Sequence, residues 1–319
     1  MSPAHPDLII GIDGGGSHTV ALLAEKAEEG RILGRGKAGP SNVQAIGAER
    51  ALQALNDAVA AAFTAANRPR GTVVAAALGL AGVDLPESAA VVRAWCEKTA
   101  LAGVVNVAND APLLLEAGTP EGWGLAVIAG TGSIAFARSR SGKFDRSGGW
   151  GYLLGDEGSA YGLALAGMRA VARSSDGCLP ATRLTEAILK FMGLKAPLEV
   201  IEAVYRGPWD RAHIASIAPL VLAVAESGDA VAQDIVENEA RELAKTAVAA
   251  ARKLALALPL DALPLAVTGG AILNSASYRQ RFVAALRANG LNPEPVTLVD
   301  DPAIGALRVA RRLAHKSKV

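Results

Sequence analysis

Apolar residues along this chain fall either into short continuous runs or into longer stretches of helical spacing, the two patterns that separate buried strands from amphipathic helices. Residues 8–13 are a short apolar run that ends in an acid and enters three glycines, as a strand running into a tight turn does. Strand-like composition resumes over 19–24 and again over 30–35. The opening therefore reads as strand, glycine turn, strand, and not as glycines leading straight into a helix. An Ala-rich amphipathic helix is predicted over 49–66, a buried strand over 73–80 and a helix over 88–99. A strand over 104–107 then delivers Asn109 and Asp110 at its C-terminal end.

A second cycle follows. Residues 124–129 form an apolar strand, 130–133 a turn and 134–138 the returning strand, with a glycine-dense loop over 147–158 and helix from 159 onward. Helical spacing dominates 181–257, with Pro208 and Pro219 as breakers. A strand over 265–268 runs into Gly269 and Gly270; a helix over 282–288, a strand over 296–299 and a closing helix over 303–314 complete the chain. Strand–glycine turn–strand thus occurs near the start of each half. Two α/β lobes with ligand between them are expected, divided within 118–122 into 1–118 and 119–319. Packing of the last helix back onto the first lobe is left open.

Composition narrows the function classes. A chain of 319 residues that is 51% hydrophobic can bury two cores of ordinary size. Its 32 Lys and Arg against 31 Asp and Glu leave a net charge of +1, without the basic field of a nucleic-acid binder. Arg311 and Arg312 read as a solvated helix face. Phosphate chemistry would then rest on local backbone geometry and a metal ion. Cys96 and Cys178 are too few and too far apart for a disulfide scaffold, a zinc site or an iron–sulfur cluster. The first residues lack the pattern of a signal peptide, and apolar stretches such as 55–66 are too short or too interrupted to span a bilayer. The expectation is a soluble cytoplasmic protein with neither nucleic acid nor membrane as partner.

Three glycine loops and one acid carry the candidate chemistry. In GIDGGGSHT, Gly14, Gly15 and Gly16 allow a turn whose N–H groups approach phosphate oxygens, Ser17 adds a hydroxyl, and Asp13 suits a magnesium ion held through water. The alternative is a plain hairpin turn capped by Asp13. Gly130, Thr131, Gly132 and Ser133 repeat that logic after the second strand, so that two loops can clamp one polyphosphate. In VTGGAIL, Gly269, Gly270 and Ala271 let a nucleotide lie against the backbone, although a helix start would look similar. Asp110, at a strand end, can orient a hydroxyl and accept its proton during phosphoryl transfer; the competing role is N-cap of the run that follows. His5, His18, His213 and His315 form no cluster.

Together GIDGGGSHT, AND at 108–110, AGTGS at 129–133, GGWGYLLGDEGSAYG at 148–162, TGGAIL at 268–273 and DDPAIGAL at 300–307 resemble the N-acetylglucosamine kinase branch of the BadF/BadG/BcrA/BcrD-type ATPases, within the actin-like superfamily. The resemblance spans nearly the whole chain, and the GGWG…GDEGSAY block is its most specific part. It implies an actin-like (ribonuclease H-like) fold, ATP as phosphate donor, magnesium, a homodimer and Asp110 as the catalytic aspartate. It also implies an amino-sugar substrate held by Asn42, Gly149, Trp150, Gly151 and Asp156, with Asp110. Trp150 reads equally as a core or hinge aromatic, and Glu157 as a surface charge. Free glucosamine and N-acetylmuramic acid are the runner-up substrates. An activator-type ATPase is disfavoured because the cleft loops carry no cysteine.

Overall fold

The computed structural model describes residues 4–16, 18–27, 31–83, 85–254 and 262–316. Ser17, and the ends of two predicted elements at Gly30 and 255–257, lie outside the described residues. The chain forms two compact units, Met1–Gly122 with Asp301–Val319, and Trp123–Asp300.

The first unit is built on a five-stranded sheet of β1 (Ala4–Gly14), β2 (Thr19–Glu25), β3 (Ile32–Ala38), β4 (Thr72–Leu80) and β5 (Ala102–Ala108), in the order β3-β2-β1-β4-β5. β1, β2 and β3 pair antiparallel, while β4 and β5 run parallel to β1. Strands covered on both faces read as continuous apolar runs, which is why 8–13 shows no alternation. On one face the helices Ala48–Ala65 and Pro86–Lys98 pack Leu55, Phe63 and Val92 against Ile10, Ile12 and Leu78. On the other, the C-terminal helix Ala303–Lys316 lays Ala303, Leu307 and Ala310 over Ile9, Val20 and Leu22.

That last helix is also clipped in place by charge. Arg308 Nη1 donates to the carbonyls of Glu116 and Ala117 at 2.7 and 3.0 Å, capping the helix Ala111–Gly118. Arg312 Nη2 sits 2.7 Å from the buried Glu116 carboxylate, and Arg311 reaches the carbonyls of Glu25 and Lys26 at the end of β2. Arg312 stays exposed, as a solvated face is, while it and the half-buried Arg311 also tie the helix to its neighbours. A guanidinium can reach carbonyls that sequence spacing does not reveal.

The second unit repeats the plan with β6 (Gly124–Ala129), β7 (Ser133–Arg138), β8 (Phe144–Gly148), β9 (Leu263–Thr268) and β10 (Pro293–Leu298). Its order, β10-β9-β6-β7-β8, is the first sheet's order read from the other edge. Val127, Leu163, Ile188, Val221, Leu243, Val267 and Phe282 join the sheet to helices including Ala160–Ser175, Ala218–Glu226, Ala230–Lys253 and Ala276–Ala288 in one core. β8 falls partly in the stretch expected to be loop. It is a charged edge strand, FDRSG, whose pairing with β7 supplies the order that its composition does not announce. Pro219 starts a helix at its first turn, where a missing N–H costs nothing, and so punctuates rather than breaks. No single helix among the described residues is long and apolar enough to cross a membrane.

Close helix–sheet approach in the first unit depends on glycine. A methyl group at Gly36 would overlap the Ala58 carbonyl and lie 2.5 Å from the Ala62 nitrogen. Gly36→Ala is expected to destabilise the protein by about 2–3 kcal/mol, since the helix backbone must shift. Gly39→Ala, where nothing lies within 4 Å, should change stability by less than about 0.5 kcal/mol. Denaturant midpoints of the two variants check this.

Candidate active site

Parallel pairing brings the chemistry of the first unit to one sheet edge. Asp13 on β1 pairs with Gly79 on β4, and Gly79 with Ala108 on β5, so the carboxyl ends of three strands finish in one row. Ligands bind outside such carboxyl ends in α/β sheets. The three segments leaving this row are the first glycine loop, 80–83, and Asn109–Asp110. They are stitched together: the Ala81 N–H donates to Gly14 O at 2.8 Å and the Ser41 N–H to Gly15 O at 3.1 Å. Gly15 N–H closes the hairpin turn on His18 O at 3.0 Å.

The reasons for the three glycines differ. At Gly14 a side chain would collide with Ser41 Oγ and Leu80, which is a packing reason. Among the described residues nothing lies within 4 Å of a β-carbon at Gly16 and only the His18 carbonyl, at 3.9 Å, at Gly15, and neither has a positive φ. Packing among the described residues therefore gives no reason for glycine at Gly15 and Gly16, and the missing β-carbons leave room for a ligand to approach the backbone. Ser41 Oγ is buried without a hydrogen-bond partner beneath this turn.

Asp110 stands immediately before the helix Ala111–Gly118, but its carboxylate makes no capping hydrogen bond. Asn109 does that work: its Oδ1 accepts from Ala111 N–H at 2.9 Å. The N-cap alternative therefore belongs to the neighbour. Asn42 caps the short helix Val43–Ile46, its Oδ1 accepting from the amides of Gln44 and Ala45 at 3.0 and 3.1 Å. That fixes the amide's orientation and turns Nδ2, a donor, the other way. Gly82, at φ 82°, would place a methyl group 2.9 Å from Asn42 Cγ, so Asn42 belongs to the same edge.

Asp13 is half-buried, and its carboxyl is pushed up from 3.8 to about 7 by burial first, then by the charges of Asp110 and Asp301. Asp301, which sequence reasoning did not place here, accepts from Ala303 N–H at 3.2 Å and pairs with Arg35. Among the described residues no three His, Cys, Asp or Glu side chains lie close enough to hold a metal ion directly. The donor set therefore fits magnesium, which keeps several waters and needs only one or two carboxylates, and does not fit a fully protein-ligated ion.

The second unit gathers its own loops by the same device. β6 and β9 pair in parallel with Ile128 opposite Thr268, so 130–133 and 269–271 leave neighbouring strand ends. Gly269, at φ 101°, passes so close to the Ala129–Gly130 backbone that a methyl group there would lie 2.5 Å from Gly130 N. Gly130 N–H donates to Gly132 O at 3.0 Å, and Gly130 O and Thr131 O accept from Ala160 and Tyr161 at 2.8 and 3.3 Å. The amides of Thr131 and Gly132 have no hydrogen-bond partner among the described residues, leaving two adjacent donors at the loop.

Ser133 and Asp156 are placed differently from expectation. Ser133 is buried; its Oγ donates to Glu157 O at 2.7 Å and its N–H to Asp156 Oδ1 at 3.1 Å. Asp156 is 3% exposed, sits at φ 68°, and its other oxygen accepts from Arg211 Nη2 at 2.7 Å. Both side chains brace the loop from within, so neither hydroxyl nor carboxylate is turned to solvent. Arg211 lies in a helical stretch distant in sequence, and no signal nearby marks it. Trp150 is 68% exposed with the Arg146 guanidinium 5.7 Å from its ring, which removes the core reading and leaves an open apolar face. Gly149 and Gly151, at φ 70° and 84°, shape the turn that presents it.

A duplicated sheet order with glycine turns at matched strand ends defines the actin-like ATPase class. The chain belongs to the BadF/BadG/BcrA/BcrD ATPase family, whose pattern it matches over residues 10–310. It is 30% identical over 95% of its length to the N-acetylmuramic acid/N-acetylglucosamine kinase of Clostridium acetobutylicum, covering 98% of that protein. The N-acetyl-D-glucosamine kinase of Dictyostelium discoideum is also 30% identical, with 95% and 98% covered. The crystal structure of a candidate N-acetylglucosamine kinase from Chromobacterium violaceum superimposes with a TM-score of 0.70 at 29% identity, covering 95% of this chain and 98% of that one.

The raised carboxyl of Asp13 carries a stability consequence. A carboxyl whose folded value lies above its unfolded 3.8 binds its proton more tightly when folded, so stability falls as pH rises from about 4 to 7 and stays lower above. Asp13→Asn should remove that loss and stabilise the metal-free protein at pH 8 by about 1–3 kcal/mol. Denaturant unfolding of both proteins at pH 5 and pH 8 measures it.

Proposed function

We propose that the protein transfers the γ-phosphoryl group of ATP to an amino sugar, N-acetylglucosamine first, giving the 6-phosphate. The observation that carries this reading is Asp110: a carboxylate at the carboxyl end of β5, not used as a helix cap, in the strand-end row that also presents Asp13 and the first glycine loop. The kinases with which the chain shares 30% identity over nearly its full length support the substrate class. One of them is named for both N-acetylmuramic acid and N-acetylglucosamine, which supports N-acetylmuramic acid as the second reading.

In this reaction the sugar hydroxyl oxygen forms a bond to the γ-phosphorus, the bond to the β–γ bridging oxygen breaks, and ADP leaves. Asp110 orients the hydroxyl and takes its proton as the new bond forms. The open amides of Thr131 and Gly132 offer donors to phosphate oxygens, while Gly15 and Gly16 let the backbone approach them. Nδ2 of Asn42 is available to a sugar oxygen, and the exposed ring of Trp150 suits the apolar face of a pyranose. Asp13 would hold magnesium through water, and the bound ion would neutralise charge on the triphosphate. A homodimer is carried over from the family resemblance, and a cytoplasmic location from the composition of the sequence.

ADP release with magnesium and ATP across N-acetylglucosamine, glucosamine, N-acetylmuramic acid, glucose and N-acetylmannosamine tests the reading. The expected result is strong stimulation by one amino sugar, with the matching sugar phosphate by mass; ATP hydrolysis that no sugar changes would sink it. Asp110→Asn should lower kcat about 10²- to 10⁴-fold while nucleotide affinity stays within about twofold. A variant retaining near-normal turnover would remove Asp110 from the role of base.

A further inference from the structure

The second glycine loop has a carboxylate at its back. A methyl group built at Gly132 would lie 2.8 and 2.9 Å from the two oxygens of Asp156 and 2.6 Å from Nη2 of Arg211. A buried, uncompensated negative charge at that distance would oppose a polyphosphate held by the amides of Thr131 and Gly132. It is compensated. Asp156 Oδ1 accepts from the Ser133 amide at 3.1 Å, and Oδ2 takes a charge-assisted bond from Arg211 at 2.7 Å. Asp156 itself holds a left-handed backbone, φ 68°, which a residue with a β-carbon adopts only when its surroundings impose it.

Arg211 is built into this position rather than lying loose on the surface. Its guanidinium lies 5.4 Å from the Tyr152 ring centre, and Tyr152 is in turn edge-on to Tyr161, the residue whose amide closes the loop on Thr131 O. Nε of Arg211 is buried without a partner, so the Asp156 contact and the tyrosine ring are what fix the plane. Forty per cent of the side chain remains exposed.

We propose that Arg211 is a positioning residue for phosphate binding: by neutralising and locking Asp156, it holds the second glycine loop in shape and cancels the negative charge behind it. This rests on the phosphotransferase reading, which makes 130–133 a phosphate loop. Two consequences separate it from a merely structural contact. The cation should matter more than the shape of the side chain, and removing the carboxylate as well should restore what removing the cation takes away.

The test is direct titration of a fluorescent ATP analogue into wild type, Arg211→Gln, Arg211→Lys and the double variant Asp156→Asn/Arg211→Gln, with thermal midpoints and the sugar KM recorded alongside. Arg211→Gln should weaken nucleotide binding by about 10- to 100-fold, because it leaves the buried Asp156 carboxylate without its cation. Arg211→Lys should lie within about fivefold of wild type, and the double variant should bind at least about fivefold tighter than Arg211→Gln. In Arg211→Gln, which leaves Asp156 in place, the sugar KM should move less than about threefold. An Arg211→Gln variant with nucleotide affinity within twofold of wild type would overturn the proposal. So would a double variant no better than the single one, even if the single variant is poorly folded. Wild type that binds no nucleotide would overturn the phosphotransferase reading first, and this proposal with it.

Discussion

Parallel pairing of a few strands is the constraint on which everything else in this protein depends. Parallel strands put their carboxyl ends at one edge, and the next segments must leave from there. The pairing of β1 with β4 and β5 therefore places Asp13, the first glycine loop and Asp110 together without any of them needing to be near in sequence. The pairing of β6 with β9 does the same for 130–133 and 269–271. A shift of one residue in either register would exchange the side chains packed against the two covering layers and displace the loops by the same step. Core burial thus enforces the geometry of the loops within each unit.

The strand-end loops of each unit carry groups that are poor contributors to folding. Asp13 is a carboxyl crowded by two others, and Asp156 combines burial with an unfavourable backbone. Gly15 and Gly16 give up side chains that nothing among the described residues excludes. Compensation comes from ordinary packing nearby and from cations placed individually. Arg35 meets Asp301, Arg211 meets Asp156, and Arg312 meets Glu116. A net charge near zero hides this arrangement, because the pairing is local.

The core strands were legible because burial on both faces leaves an unbroken apolar run, and the turns because glycine clusters interrupt it. β8 was not, since an edge strand with Asp145 and Arg146 owes its order to hydrogen bonds with β7 and has no hydrophobic signature. Motif and position put Asp13, Asp110 and the glycine loops at strand ends, and the strand pairing has them there. Which side chain does which job could not be found that way. Asn109 caps the helix that Asp110 seemed placed to cap, Ser133 and Asp156 face inward, and Arg211 comes from a distant helix. Hydrogen-bond partnership is a three-dimensional property, and a residue's type and spacing constrain it only weakly.

The closing helix adds a consequence for how the molecule is made. Its residues Ala303, Leu307 and Ala310 cover one face of the first sheet, and it carries the arginines that tie β2 and the helix Ala111–Gly118. The second unit, by contrast, is one uninterrupted stretch of chain. On the ribosome the second unit has all its parts as soon as residue 300 emerges, while the first, begun earlier, stays open on one face until the last turn of helix is released. The half of the protein that is translated first is therefore the half that finishes folding last, and its apolar sheet is the surface that needs protection during synthesis.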